Sequence, residues 1–274
     1  MKLSSKKLKK YQGLAKKIRR EIIKISYKRK SSHIGSSFSI VEILISLYFK
    51  YLNIDPNNPT KEDRDKFILS KGHACPALYV TLLEKGFFNK KYFNNFSQNG
   101  GVLEHHPNFD ISKGIEASTG SLGHGLSMGV GMALAAKNNG SKQKIFVLLS
   151  DGELGEGSNW EAIMFAAQHK LDNLVAIVDY NKMQALGDIK DITSLKPLSK
   201  KWKSFNWGVK EINGHSFKEL FTSFDNIPFE KNKPSVIIAN TIKGKGVSFM
   251  ENELLWHYRC PDEDEYEKAL KELL

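Results

Sequence analysis

A chain of 274 residues with 41% hydrophobic and 26% charged content has the composition of a soluble globular protein and is too apolar for wholesale disorder. No apolar run is expected to reach the roughly 18 residues that span a bilayer, and two cysteines, Cys75 and Cys260, make no disulfide framework and suit a reducing cytoplasm. The net charge of +11 raises the question of nucleic acid, but only five of the 41 basic residues are arginine, so the charge reads as a lysine-rich surface that welcomes acidic small molecules rather than as a phosphate-reading interface.

The basic start, "MKLSSKKLKKYQGLAKKIRREI", lacks the apolar centre of a secretory signal. Leu8, Tyr11, Leu14, Ala15, Ile18, Ile22 and Ile25 recur at helical spacing, which predicts an amphipathic helix over about residues 5–27 with a basic outer face. A more buried helix is expected over 40–52. "KFILS" (66–70) reads as a strand opening into the loop "KGH". "ACPALYVTLLEKGF" then reads as a helix, with Pro76 in its first turn and Gly86 as its terminator. Residues 87–110, rich in asparagine and aromatics, read as loop and short helix. A glycine-rich turn leads into a helix of small residues over 121–137.

Strand 144–149, helix 158–170 and strand 174–179 come next. Ser158 and Glu161 have the spacing of a capping box, and Trp160, Ile163, Met164 and Ala167 share one helix face. Further strands are expected at 207–212 and 235–241. No repeat or linker interrupts residues 30–260, so one domain over 1–274 is the simpler expectation.

Two stretches carry the chemistry. "KIFVLLSDGELGEGSNWEA" (144–162) and "NLVAIVDYNKM" (173–183) are apolar runs that stop at an oxygen-bearing side chain, Asp151 and Asn181. Strand–helix–strand is the βαβ unit of a parallel sheet, so both strands end at the same edge. Ligands bind beyond the carboxyl ends of such strands. A carboxylate and a neutral amide there, with backbone and phosphate oxygens, make the ligand set of a hard divalent cation such as Mg²⁺. On spacing alone the alternative stays open: an acid that starts a turn, and an amide that ends a strand.

"SDGELGEGSNWEA…VDYNKM" resembles the thiamine-diphosphate signature, an acidic Gly-Asp-Gly motif followed after one crossover by asparagine. Ser150 stands in place of its first glycine. "SSHIGSS" (31–37), "SKGHA" (70–74), "EHHPN" (104–108), "ASTGSLGHGLSMGVGMALAAK" (117–137) and "TIKGKGVSFMENELLWH" (241–257) are similar, in the same order, to blocks of the transketolase family. The resemblance implies an α/β thiamine-diphosphate-binding fold, a mostly parallel sheet with helices on both faces. It implies Mg²⁺ (Ca²⁺ or Mn²⁺ as substitutes) on the side chains of Asp151 and Asn181 and the main-chain oxygen of Met183. Gly152 would meet the diphosphate through its N–H, and Gly120 and Leu122 would approach the aminopyrimidine or thiazolium. Glu156 would lie at a subunit interface near the paired cofactor sites. His73 and His257 would lie by the diphosphate and reacting centre, and His33 and His106 would line the substrate channel.

His105 is expected to be a neighbour without chemistry, and His124 to pack at the cofactor turn. "WHYRC" departs from the small residue the family places after this histidine. Lys243 and Lys245 are expected to be exposed loop lysines outside the site. In such enzymes a glutamate on a separate pyrimidine-binding domain activates the cofactor. The resemblance therefore implies the N-terminal, diphosphate-binding subunit of a split transketolase. Its partner would be a C-terminal subunit carrying the pyrimidine-binding domain, in an α2β2 assembly that moves a two-carbon ketol unit between sugar phosphates. Neither nucleic acid nor a membrane is expected as a partner. Two alternatives share the cofactor: the α-type subunit of a 2-oxo-acid dehydrogenase, and an enzyme like deoxyxylulose-phosphate synthase. A non-catalytic scaffold is the alternative from another class.

Overall fold

A computed structural model describes residues 4–274. The strands are β1 (Lys66–Leu69), β2 (Ile145–Ser150), β3 (Leu174–Tyr180), the two-residue β4 (Met183–Gln184) and β5 (Gly187–Asp188), β6 (Gly208–Asn213) and β7 (Ser235–Asn240). Five of them form one parallel sheet in the order β1-β2-β3-β7-β6, while β4 and β5 make a small antiparallel hairpin directly after β3. The central strands β2 and β3 are apolar on both sides, as strands covered by helices on both faces must be. Phe146, Leu148, Val175 and Ile177 enter one core, and Ile145, Val147, Leu174 and Ala176 enter the other.

The first core is roofed by α1 (Ser5–Arg29), α2 (Ile34–Phe38), α3 (Val41–Ser46) and α4 (Cys75–Lys85). The second is covered by α5 (Gly125–Asn138), α6 (Gly157–Gln168), α7 (Ile189–Ile192) and α8 (Leu198–Ser204). Then α9 (Phe217–Phe224), between β6 and β7, and α10 (Glu263–Glu272) return to the first face. The strand order reverses as the chain comes back from β6 to lie beside β3. That switch point, between the carboxyl ends of β3 and β7, is where an open α/β sheet leaves a crevice for a ligand.

α1 buries Ala15, Ile18, Ile22 and Ile25 as its spacing predicts, and Gly86 ends α4 in the left-handed region at φ 102°. Several local expectations are corrected. The stretch 40–52 is helical over 41–51 as expected, but α3 passes into a π-helix over Leu47–Tyr51. Ile34–Tyr51 also reaches 18 residues at a mean hydropathy of 1.2, long and apolar enough to cross a membrane, against the expectation that no run does. However, 83% of it is buried against the rest of the chain. The capping box is absent: α6 starts at Gly157, and the Ser158 hydroxyl donates to the Gly123 carbonyl (2.8 Å) instead of capping its own helix. Glu156 is the N-cap, so Ser158 already lies inside the first turn, where its oxygen cannot accept the N–H bonds of a cap. Met164 is 53% exposed, because α6 buries the face of Asn159, Ala162, Ile163 and Ala166.

Candidate active site

The register of β2 and β3 sets Ser150 opposite Asp179, so Asp151 and Asn181 leave the sheet one and two residues further on, at the same edge. Asp151 Oδ2 accepts the N–H of Lys182, the residue after Asn181, at 2.5 Å, and Oδ1 accepts the N–H of Gly152 at 2.8 Å. The acid and the amide are therefore neighbours on one side of one edge. Asn181 Oδ1 accepts the Met183 N–H (3.1 Å), folding the chain back so that Met183 starts the hairpin beside them.

Asp151 is fully buried and makes no salt bridge among the described residues. Burial first, and then the charge of Asp179, push its carboxyl up to about 7. A buried carboxylate without a counter-ion is costly, and a divalent cation would remove that cost. Among the described residues no group of three or more His, Cys, Asp or Glu could hold a metal. The donors Asp151, Asn181 and a main-chain carbonyl fit a hard, oxygen-seeking cation instead.

The histidines converge from distant segments. His33 starts α2 in the left-handed region (φ 67°), with its backbone N–H donating to the His257 carbonyl at 3.2 Å. The His33 ring lies 4.8 Å from that of His257, edge-on, and 5.1 Å from that of His73. His106 joins them through two close backbone approaches. A Cβ on Gly72 would stand 2.8 Å from the Gly120 nitrogen, and one on Gly120 would stand 2.8 Å from the His106 ring. Glycine at both positions lets the "SKGH" loop, the glycine turn and His106 stack directly.

Burial, followed by the nearby cationic groups, holds His33 at about 4 and His257 at about 3, and pushes His73 well below the usual imidazole range. His106 is lowered for the same leading reason. These rings are neutral at pH 7 and can accept protons. Their cationic neighbours Lys71 and Lys243 are both almost fully buried.

Residues 11–273 match the family model described as "Transketolase, thiamine diphosphate binding domain". The chain belongs to the transketolase family. It is 43% identical over 259 residues to an apulose-4-phosphate transketolase subunit of Phocaeicola vulgatus, covering 94% of this chain and 92% of that one. It is 43% identical over 241 residues to the 6-deoxy-6-sulfo-D-fructose transketolase subunit SqwG of Clostridium sp., covering 88% of each. Among solved structures it is similar to the transketolase of Campylobacter jejuni, with a TM-score of 0.89 and 29% identity, covering all of this chain and 43% of that one. The chain thus spans nearly the whole of the subunit relatives and less than half of the solved transketolase.

Within the transketolase frame, sequence reasoning missed several residues. Lys243 is not an exposed loop lysine: it is 1% exposed, and its Nζ lies 3.2 Å from His257 Nδ1. Burial lowers it to about 8. Lys245, half-buried, pairs with Glu251 at 3.0 Å. Lys71 pairs with Asp179 at 2.6 Å, both wholly buried. Glu153, also buried, accepts the Gly123 N–H (2.9 Å) and a hydrogen bond from the Ser70 hydroxyl, tying the glycine turn to β1. Arg19 holds Glu42 with two bonds of 2.7 and 2.8 Å. Glu42 in turn meets His215 Nδ1 (2.9 Å), and His215 Nε2 accepts the Ile242 N–H (2.9 Å), anchoring the loop that carries Lys243. The one available signal was charge inside apolar context, as in "VAIVDY", since a buried charge demands a partner.

The remaining expected residues sort by position. Leu122 and Gly120 lie half-buried in the turn ahead of α5, while Glu156 is exposed and beside Gly123. His105, His106 and His124 are exposed. Tyr258, the departure in "WHYRC", stands edge-on to His257 at 5.0 Å, and its hydroxyl donates to the Ala185 carbonyl in the hairpin turn.

Proposed function

We propose that this chain is the diphosphate- and cation-binding subunit of a split transketolase, transferring a two-carbon ketol unit from a ketose phosphate to an aldose phosphate. The observation that carries it is the junction of Asp151 and Asn181 at one sheet edge, with a cluster of three histidine rings assembled from distant segments of the same chain. Mg²⁺ would sit on Asp151, Asn181 and the Met183 carbonyl. The diphosphate would lie by Gly152, His73 and Lys243, and the rings of the cofactor by Gly120 and Leu122. In the structure the Gly152 N–H donates to Asp151, a bond that a diphosphate held by that N–H would replace.

Thiamine diphosphate, when bound, supplies stabilisation of an acyl carbanion equivalent. The chain's own groups handle protons and position. His33, His73, His106 and His257 accept and return protons on the hydroxyls and carbonyl of the sugar, a contribution typically worth ~10²–10⁴-fold. Buried Lys71 and Lys243 make the crevice attractive to anions. The two relatives' named substrates carry a phosphate and a sulfo group, in keeping with an anionic sugar.

The partner supplies the glutamate that activates the aminopyrimidine, and a cytoplasmic α2β2 assembly pairs two sites, with the exposed Glu156 at the junction. The relatives' names do not favour a 2-oxo-acid dehydrogenase, a deoxyxylulose-phosphate-synthase-like enzyme or a scaffold. The test is purification of the chain alone and together with its co-expressed partner, followed by ketol-transfer assays across ketose and aldose phosphates with thiamine diphosphate and Mg²⁺. Transfer is expected only with both chains. Full transfer by the single chain would overturn the split assignment.

A further inference from the structure

A buried acid that takes no part in the proton chemistry sits beneath the cation position. Asp179 is wholly buried at the end of β3, in register with Ser150 on one side and Ala239 on the other. Its Oδ2 accepts from Lys71 Nζ (2.6 Å), the Ser39 hydroxyl (2.7 Å) and Asn181 Nδ2 (3.0 Å), and its Oδ1 accepts from the Thr241 hydroxyl. These donors come from four places: the turn between α2 and α3, the loop after β1, the residues after β3 and the residues after β7. One carboxylate thus joins four segments at the strand switch point.

Its bond to Asn181 has a specific consequence. A carboxylate only accepts hydrogen bonds, so the Asn181 amide must turn its NH₂ toward Asp179. Independently, the Met183 N–H requires an oxygen on the other branch of the amide. Both constraints select the same orientation. A flip would set the amide oxygen against a carboxylate and the NH₂ against a backbone N–H, losing two bonds at once. Lys71, which also donates to the Ser36 carbonyl (3.2 Å), supplies the charge that lets a second carboxylate lie buried so near Asp151.

We propose that Asp179, neutralised by Lys71, is a positioning residue that locks the Asn181 amide with its oxygen presented to the cation. This rests on the cation reading given above. Groups that orient a metal ligand typically contribute ~10–100-fold to metal affinity without touching the ion.

The test compares two double variants of equal charge, K71M/D179N and K71M/D179L, each assembled with the partner chain and thiamine diphosphate. Bound Mn²⁺ is read by electron paramagnetic resonance, and folding by thermal melting. D179N keeps an acceptor oxygen for the Asn181 amide, and D179L does not. K71M/D179L is expected to bind Mn²⁺ about 10–100-fold more weakly than K71M/D179N while still melting cooperatively. Should the leucine variant not fold, K71M/D179S, whose shorter side chain withdraws the acceptor, carries the same expectation. Equal Mn²⁺ affinity in the two backgrounds would overturn the positioning role and leave the cation site intact. A wild-type complex that binds Mn²⁺ no better than D151N would instead overturn the cation reading, and the positioning role with it.

Discussion

The two ends of the parallel sheet make the sharpest contrast in this molecule. At the amino end, beside the start of β1, lies a cleft of 790 Å³ lined by Lys61, Glu62, Asp63, Lys66, Gln143 and the small residues of α5. At the carboxyl end the cleft beside β6 and β7 is smaller, 580 Å³, and touches Lys182, His215, Thr241 and Lys245. The larger hollow has charges at its surface, most of them exposed. The smaller one is lined by residues that hold two buried acids: the Lys182 N–H donates to Asp151 and the Thr241 hydroxyl to Asp179. Surface charge is nearly free, whereas buried charge must be offset by partners or by a ligand. Cavity size therefore does not mark the candidate site, and buried charge does.

The contrast can be broken by mutation, and the largest effect belongs to the cation pair. Asp151→Ala, assayed for ketol transfer and Mn²⁺ binding in the assembled enzyme, is expected to lose more than the ~10–100-fold that outer partners contribute. Retained Mn²⁺ binding would place the ion elsewhere. His33→Ala and His257→Ala are each expected to lower kcat by ~10²–10⁴-fold with Mn²⁺ affinity unchanged. A joint loss of metal would make them structural instead.

Glu42→Ala leaves Arg19 buried without its partner, and a loss of ~3–5 kcal/mol is expected in urea unfolding. An unchanged midpoint would show that the Arg19–Glu42–His215 chain holds nothing. Smallest of all, Glu62→Ala and Lys66→Ala in the amino-end cleft are expected to stay within ~0.5 kcal/mol and to leave turnover unchanged.

Acidity sharpens the same contrast. His33 and His257 are held at about 4 and about 3 against 6.5 for the free side chain, so the folded chain binds fewer protons than the unfolded one as pH falls. Their contribution to stability is complete above pH 6.5 and is lost as pH drops through about 4 and about 3. Glu42, held at about 2 against 4.5, follows the same sign: its contribution is present above pH 4.5 and fades toward pH 2. Unfolding midpoints measured from about pH 8 down to about pH 4 should fall, and a His33→Gln/His257→Gln chain should show a shallower fall. Parallel curves for the two chains would contradict the neutral-histidine cluster.

Much of the site was legible in the sequence because its residues travel in compact blocks. Asp151 and Asn181 follow apolar runs whose βαβ spacing fixes a common edge, and the structure joins them through Lys182. Four histidines embedded in separate blocks could be named, and the rings of His33, His73 and His257 stand 4.8 to 5.8 Å from one another. Lys243 was misread because "KGKG" has the local pattern of a solvated loop, and only the packing of α2 and the His257 segment around Lys243 buries it. Ser158 was misread for the converse reason: its local pattern was good, but α6 begins one residue earlier, at Gly157, and the hydroxyl donates to a carbonyl 35 positions away in sequence.

Hydrophobic period and strand–helix alternation were enough to determine an α/β layering and the edge at which chemistry belongs, because both are set by the geometry of a single element or of one crossover. Which charges would be buried, and with what partner, was decided only by tertiary structure. Lys71 and Asp179 are 108 positions apart in the chain and 2.6 Å apart in space. No local pattern encodes such a pair, because the free energy of a buried charge depends on what the rest of the fold brings to it.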